Sequence, residues 1–161
     1  MSKPLWQPSE TFQKNTNLQS YLNWLQQHKG LIFEDYDALW EWSVEHTKAF
    51  WQSIWDYFNI HSHTPYEYVH SDDDMPNTQW FKGATLNYAE HIFKQKNTNA
   101  PAILFQSERH STQEISWETL EQQVANFAAW LRQKGVVKGD RVVAFLPNIP
   151  EATIAFLATC S

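Results

Sequence analysis

The sequence has very little cysteine and glycine, and each shortage excludes a class of function. Cys160 is the single cysteine among 161 residues, which excludes a disulfide framework and indicates a reducing compartment. The four glycines are too widely separated for a Walker loop or a GxGxxG turn. They are Gly30, Gly83, Gly135 and Gly139. The residues that would cradle a phosphate group are therefore not expected in this chain.

Basic clusters and long apolar runs are also missing. Lys and Arg never occur three together and the formal net charge is −6 at pH 7, which argues against nucleic acid as the main partner. No apolar run approaches the roughly 20 residues of a membrane span. The first ten residues, MSKPLWQPSE, lack the basic and apolar regions of a signal peptide. We therefore expect a soluble, cytoplasmic protein that binds neither nucleic acid nor membranes.

Aromatic residues, by contrast, are abundant. They make up 16 % of the chain, including nine Trp and ten Phe, and 42 % of all residues are apolar. Disordered chains are poor in such residues, and 161 residues are enough to bury the core of one domain. The composition therefore predicts a folded protein.

The first third of the chain has the patterns of helices. Residues 1–15 contain two prolines and are expected to be an extended lead-in that Trp6 anchors. From Thr16, apolar residues recur at helical spacing, and Gly30 follows as a left-handed C-terminal residue. Asp35 and Thr47 then begin two aromatic-rich helices, which indicates a helical cap over an apolar surface.

The two aromatic-rich helices each carry a stripe of large residues. These are Tyr36, Leu39 and Trp40 in the first helix and Phe50, Trp51, Ile54, Trp55 and Phe58 in the second. Such stripes are typical of a hydrophobic core. An aromatic cage for a ligand is the alternative interpretation.

Residues 61–79 interrupt the helical pattern with two prolines, three histidines and a run of aspartates. A metal cluster of His61, His63 and His70 with Asp72, Asp73 and Asp74 is one interpretation. Their spacing matches no known metal motif. We favour a solvated linker, because Asp and Pro are common in such loops.

Helical and strand patterns alternate in the second half. Thr85 is expected to cap a helix that ends near Lys94, and residues 102–105 and 113–115 are expected to form a hairpin. Ser116 caps the clearest helix of the chain, which runs to Gly135. This order predicts an α/β layer.

The last stretch, residues 139–161, combines a strand pattern with a helix pattern. Val142–Leu146 is an unbroken apolar run, typical of a strand covered on both faces. Asn148 is expected to cap the following helix, with Glu151 three residues later. Together they resemble half of a parallel βαβ unit whose second strand does not follow. We therefore expect an incomplete layer with an unpaired strand edge.

Few residues are candidates for chemistry. Cys160 lacks an evident basic neighbour and is interpreted as a buried, inert thiol. The pair Glu45–His46 lies near a helix end without a third group to orient it. Asn148 follows the predicted strand, where ligands bind in doubly wound folds, but capping already explains it. No GxSxG or HExxH motif occurs. We therefore predict no catalytic, cofactor-binding or metal-binding residue.

Three stretches in this order resemble acyl-CoA synthetases of the acetyl and acetoacetyl type, within the adenylate-forming superfamily. YDALWEWSVEHTKAFWQSIWDYFNI resembles their tryptophan-rich helical segment. WFKGATLNYAEHIF is similar to their W-F-x-G-x-x-L-N-Y-A-E segment, and GDRVVAFLPNIPEATIAFLATCS to their G-D-R-V-x-x-x-x-P-N-x-P-E strand and helix. The run Leu86–Glu90 favours the acetoacetyl type. Lys82 departs from the pattern, which has proline there.

The resemblance implies an α/β fold in which a helical cap precedes the first, incomplete subdomain of an adenylate-forming ligase. Residues 1–70 would be the helical cap segment and residues 71–101 a linker and connecting helix. Residues 102–161 would begin the AMP-binding domain.

The resemblance also implies a reaction for the whole protein. ATP, with Mg²⁺, and a small carboxylic acid such as acetoacetate give an acyl-adenylate and pyrophosphate, and CoA then displaces AMP. The family's phosphate loop, ribose-binding Asp and adenylation Lys have no counterpart here. We therefore expect an N-terminal fragment that is inactive without the remainder of its chain. A stand-alone interaction module, or an acetyl- or propionyl-CoA synthetase of the same superfamily, are the alternatives.

Overall fold

A computed structural model describes residues 5–161, and the chain divides into two compact units. Unit 1 extends to Ile60 and also contains Pro65–Ala84, whereas unit 2 contains His61–Thr64 and Thr85–Ser161. The helices and strands of unit 1 are α1 (Glu10–Lys14), α2 (Asn17–Lys29), α3 (Tyr36–Glu45), α4 (Thr47–Tyr57), β1 (Tyr68–His70) and β2 (Trp80–Lys82). Those of unit 2 are α5 (Tyr88–Lys94), β3 (Ile103–Ser107), β4 (His110–Ile115), α6 (Trp117–Gln133) and α7 (Pro150–Thr159).

Helix α2 forms as its sequence predicts. The Thr16 hydroxyl accepts a hydrogen bond from the Gln19 backbone N–H at 3.1 Å and so satisfies one of the free amides of the first turn. At the other end Gly30 adopts φ +68°, a left-handed conformation that glycine takes without steric penalty. The predicted caps Asp35 of α3 and Ser116 of α6 are confirmed in the same way.

The core of unit 1 lies where α2, α3 and α4 meet. Leu25 is fully buried, and Tyr21 and Leu39 are nearly so. The Tyr21 hydroxyl lies 2.6 Å from Oγ of Ser53, which is also buried. Ser53 donates its own proton to the Phe50 carbonyl oxygen, so Tyr21 donates to Ser53. Burial raises the pKa of Tyr21, and the hydrogen bond with Ser53 partly offsets that rise.

Several expectations for unit 1 are wrong. Residues 1–4 of the lead-in lie outside the described part of the chain. The rest is not entirely extended, because Ser9 caps the short helix α1, and Trp6 is largely exposed and not a buried anchor. Tyr36 and Trp40 are exposed. Trp42 instead packs edge-on against Phe50, with the two ring centroids 5.9 Å apart. The inner face of α3 is therefore formed by Leu39 and Trp42.

A small hairpin lies in the segment that the sequence interpretation treated as a linker. Strand β1 pairs antiparallel with β2, with Tyr68 opposite Lys82 and His70 opposite Trp80. The pattern of these two three-residue strands is too short to distinguish from a loop. Lys82, the departure from the family pattern, therefore lies in a paired strand.

Unit 2 has its own core, in which α7 packs against α6 and α5. Its buried residues are Ala89, Leu120, Val124, Ala128, Leu157 and Ala158. The predicted hairpin is confirmed as the antiparallel pair β3 and β4, with Ile103 opposite Ile115 and an irregularity between Phe105 and Ser107. The helical spacing of apolar residues in α6 correctly predicts which of its residues lie in the core.

Two predicted caps in unit 2 are wrong. Helix α5 begins after Asn87, whose side chain accepts from the Glu90 N–H at 3.0 Å, and not after Thr85. Helix α7 begins at Pro150 with Ile149 before it, and Asn148 makes no cap. Proline is well suited to a first helical position because its missing N–H would have no intrahelical partner there.

The predicted strand Val142–Leu146 does not form. Among residues 5–161, none pairs with this stretch as a strand, and Val143 and Phe145 are almost completely exposed. An isolated strand leaves its backbone N–H and C=O groups without partners, so a strand pattern becomes a strand only beside another. Within residues 5–161 the unpaired strand edge expected from the sequence is therefore not formed, because this stretch is no strand.

None of the helices described here combines the length and the apolar character needed to cross a membrane.

Candidate functional site

Four charged or titratable side chains meet in unit 2, and we refer to His61, His63, Glu90 and Lys94 as the His–Glu cluster. Nε2 of His63 lies 2.7 Å from Oε2 of Glu90, and Nε2 of His61 lies 3.3 Å from Oε1. The Lys94 ammonium lies 3.0 Å from the same Oε1. Two imidazoles and one ammonium therefore surround a single carboxylate.

Backbone contacts hold the histidine segment beside the segment that leads into α5. The His63 N–H donates to the Thr85 carbonyl at 2.8 Å, and Thr64 forms an isolated antiparallel bridge with Thr85. The hydroxyls of these two threonines lie 2.8 Å apart. Because side chains alternate along an extended chain, His61 and His63 fall on the same side of the segment.

Helix α5 supplies the acidic and basic members of the cluster. The Asn87 cap fixes the first turn, in which Glu90 lies, and Lys94 follows one turn later. Residues four apart share a helix face, so Lys94 reaches back to Glu90. The Lys94 hydrogen bond, assisted by His63 and His61, holds the pKa of the Glu90 carboxyl below its usual range despite some desolvation. Glu90 is therefore a carboxylate at neutral pH.

The cluster differs from the metal cluster considered from the sequence. His61 and His63 do come together, but His70 lies in β1 of unit 1 and its Nδ1 bonds to the Ser71 carbonyl at 2.7 Å. Asp72, also in unit 1, accepts from Lys48 at 2.6 Å. Sequence reasoning missed Glu90, because its link to the histidines depends on the bridge between Thr64 and Thr85. The sequence signal for part of the cluster was the His-x-His spacing of His61 and His63.

The other candidates lie apart from the cluster. Cys160 is half-buried and packs against the core of unit 2, as expected for a structural thiol. His46 lies at the junction of α3 and α4, with Glu45 as the last residue of α3. Asn148 is exposed beyond the stretch that was expected to be a strand. Among residues 5–161 the structure therefore adds no side-chain partner to these three candidates.

An open apolar groove of about 850 Å³ lies between the β3–β4 hairpin, α6 and α7. Its walls include Phe105, Ile115, Phe127, Leu146 and Ile154. Polar residues such as Gln113, Gln123 and Glu151 also line it, but ligand pockets of this size are usually enclosed. This groove is instead the open face of the incomplete layer.

The described residues do not fit a nucleotide phosphate site. Gly135 and Gly139 form the tightest pair of glycines, at the end of α6. Between them the Val137 N–H already donates to the Asp140 carboxylate at 2.9 Å. A phosphate there would meet a negative charge instead of free N–H groups.

Two family models match the chain, one after the other. "Acetyl-coenzyme A synthetase N-terminus" matches residues 36–92, and "AMP-binding enzyme" matches residues 90–161. The three stretches that carry the family resemblance fall within these ranges.

Individual relatives match over almost all of the chain. Acetoacetyl-CoA synthetase of Macaca fascicularis is 37 % identical over 98 % of this chain and 24 % of its own length. Acetoacetyl-coenzyme A synthetase of Rhizobium meliloti is 31 % identical over 99 % of this chain and 24 % of its own length. The solved structure of acetoacetyl-CoA synthetase from Streptomyces lividans is 40 % identical, with a TM-score of 0.89 over 99 % of this chain and 25 % of that chain. The chain thus spans about a quarter of the length of the relatives it matches.

The chain therefore resembles, in fold and in sequence, the N-terminal region of adenylate-forming acyl-CoA synthetases. Within that class the relatives described above are acetoacetyl-CoA synthetases, which confirms the resemblance predicted from its three stretches.

Proposed function

We propose that the protein carrying this chain is an acetoacetate–CoA ligase, which joins acetoacetate to CoA and converts ATP to AMP and pyrophosphate. The observation that supports this most strongly is the match to the Streptomyces lividans synthetase, at 40 % identity and a TM-score of 0.89 over nearly the whole chain. The match covers 99 % of the chain and so includes residues of both units, and the two family models match residues 36–92 and 90–161.

The role of these residues in that reaction is structural. Residues 1–70 act as the cap segment, residues 71–101 connect it to the next region, and residues 102–161 begin the AMP-binding domain. Because the described residues do not fit a phosphate site, binding of ATP, Mg²⁺ and CoA is assigned to the remainder of the protein. A protein of these 161 residues alone would have no ligase activity. The cytoplasm, where all three are available, is the proposed location.

A chimera tests this role directly. The 161 residues would replace the matching N-terminal quarter of the Streptomyces lividans enzyme, with that unmodified enzyme as the control. We expect a folded chimera that forms AMP only when acetoacetate, ATP and CoA are all present. The 161-residue chain alone should form none.

Loss of ligase activity in a folded chimera would favour the alternative of a stand-alone interaction module. A chimera that is folded by circular dichroism and elutes like the control, yet forms no AMP, would contradict the proposal. Turnover by the isolated 161 residues would contradict the structural role.

The choice of acid needs a separate experiment, because the chimera would take its acid site largely from the Streptomyces enzyme. Acetoacetate, acetate and propionate would be compared as substrates of the whole protein that carries this chain. We expect the highest kcat/KM for acetoacetate. A preference for acetate or propionate would leave the superfamily assignment standing but would contradict acetoacetate as the substrate.

A further inference from the structure

We propose that His61, His63 and Glu90 form a binding site for one divalent transition-metal ion of the Zn²⁺ type. Each residue offers a ligand atom, and these atoms lie within 4.8 Å of one another. The site goes beyond the proposed ligase reaction, since that reaction does not require a metal ion here. It rests only on the geometry of the His–Glu cluster.

The distances between the ligand atoms are close to those that a tetrahedral ion requires. With bonds of about 2.0–2.1 Å to nitrogen and oxygen, two ligands of a tetrahedral Zn²⁺ lie about 3.3–3.4 Å apart. The 3.3 Å between His61 Nε2 and Glu90 Oε1 already has this value. The 2.7 Å between His63 Nε2 and Glu90 Oε2 is a hydrogen-bonding distance to the other carboxylate oxygen, so an ion bound through Oε1 requires His63 and the carboxylate to rotate. Small side-chain rotations can supply this change, because both side chains are partly exposed.

The chemistry of the ligands selects the kind of metal. Imidazole nitrogen with carboxylate oxygen suits Zn²⁺ and its first-row neighbours, whereas Mg²⁺ and Ca²⁺ prefer oxygen ligands alone. Three protein ligands leave the fourth position for a water molecule. Because no thiolate takes part, we expect weaker binding than at cysteine-rich structural zinc sites.

Groups next to the His–Glu cluster influence its affinity for a metal ion. Lys94 holds Oε1 of Glu90 at 3.0 Å, so a metal ion must displace this ammonium from the carboxylate. Nδ1 of His91 lies 3.5 Å from the backbone nitrogen of His61 and accepts its hydrogen bond. This contact helps to fix the histidine segment. Removal of the Lys94 charge should therefore strengthen metal binding, although it also removes a stabilising ion pair.

A metal ion in this place would join two segments that are distant in sequence. Residues 61–64 are already held beside Thr85 by the bridge at Thr64, so the two histidines are partly preorganised. Coordination would fasten them to α5 as well. Because binding to the folded state alone stabilises it, Zn²⁺ should raise the unfolding temperature of the chain.

Isothermal titration of the 161-residue chain with Zn²⁺, free of chelators, tests the proposal. We expect one equivalent to bind. Glu90→Gln, which keeps the shape of the side chain, should weaken the affinity at least about tenfold. The double variant His61→Gln/His63→Gln should weaken it further, and Lys94→Met should tighten it. A matched control, His28→Gln/His110→Gln, removes two exposed histidines elsewhere and should bind as the parent does.

Co²⁺ gives a readout that does not depend on stability. Bound in a low-coordinate nitrogen and oxygen site, it should show the strong visible absorption of tetrahedral Co²⁺, and Glu90→Gln should abolish this signal while circular dichroism stays unchanged. The proposal is overturned if the parent binds no Zn²⁺. It is equally overturned if Glu90→Gln and the double histidine variant bind as the parent does, or if the control variant loses the ion.

Discussion

A single buried polar contact illustrates how individual residues stabilise unit 1. Tyr21 and Ser53 lie on α2 and α4, and both are almost completely buried. Each hydroxyl needs a partner there, because a buried polar group without a hydrogen bond is costly. The 2.6 Å bond between them and the bond from Ser53 to the Phe50 carbonyl satisfy this need. Helical spacing in the sequence places Tyr21 on the apolar face of α2, but it does not show that Tyr21 meets Ser53.

We expect Tyr21→Phe to lower the free energy of unfolding by about 1 kcal/mol, because one net hydrogen bond is lost while Ser53 keeps its bond to Phe50. Ser53→Ala should cost more, about 1–3 kcal/mol, because it leaves the Tyr21 hydroxyl buried without a partner. Urea unfolding followed by circular dichroism measures both changes.

The double variant and a surface serine provide the controls. Tyr21→Phe/Ser53→Ala should cost less than the sum of the single changes, since the two groups share one bond. Ser20→Ala, on the exposed side of α2, should be nearly neutral. Strict additivity of the Tyr21 and Ser53 changes would contradict the contact.

At the scale of secondary structure, side-chain caps decide where helices begin. Ser116 accepts from the Thr119 N–H at 3.1 Å at the start of α6, whereas Asn148 makes no such bond before α7. Both residues had looked alike in the sequence. The difference arises because Pro150 moves the start of α7 two residues beyond Asn148.

We expect Ser116→Ala to lower the free energy of unfolding by about 1 kcal/mol through loss of this cap. Asn148→Ala, at an exposed and non-capping position, should change it by less than about 0.5 kcal/mol. Thermal unfolding of the two variants beside the parent chain measures the difference. A larger loss for Asn148→Ala than for Ser116→Ala would mean that α7 begins where the sequence predicted.

At the scale of the molecule, each unit has its own small core, and unit 2 also leaves an apolar face open. Val143 and Phe145 are almost completely exposed, and Leu104 and Phe156 are more than half exposed. Exposed apolar surface of this kind promotes association. Extended backbone without a strand partner adds to this tendency.

We expect the 161-residue chain to associate or to bind a hydrophobic dye, and Val143→Thr/Phe145→Ser to reduce both effects. Size-exclusion chromatography at several concentrations and dye fluorescence measure them. Val44→Thr/Phe12→Ser, at exposed positions of unit 1, is the matched control and should change little. A parent chain that stays monomeric and binds no dye would contradict this expectation.

Local patterns in the sequence were enough to predict the helices with strong periodicity and clear caps, the β3–β4 hairpin and the resemblance to acyl-CoA synthetases. These features depend on local spacing and on local hydrogen bonds, such as those of Thr16 and Ser116, whose residue types the sequence shows. Tertiary contacts, in contrast, establish that Val142–Leu146 has no strand partner among residues 5–161 and that Glu90 meets His61 and His63. A strand needs a partner and a cluster needs its members brought together, and both depend on contacts between residues distant in sequence.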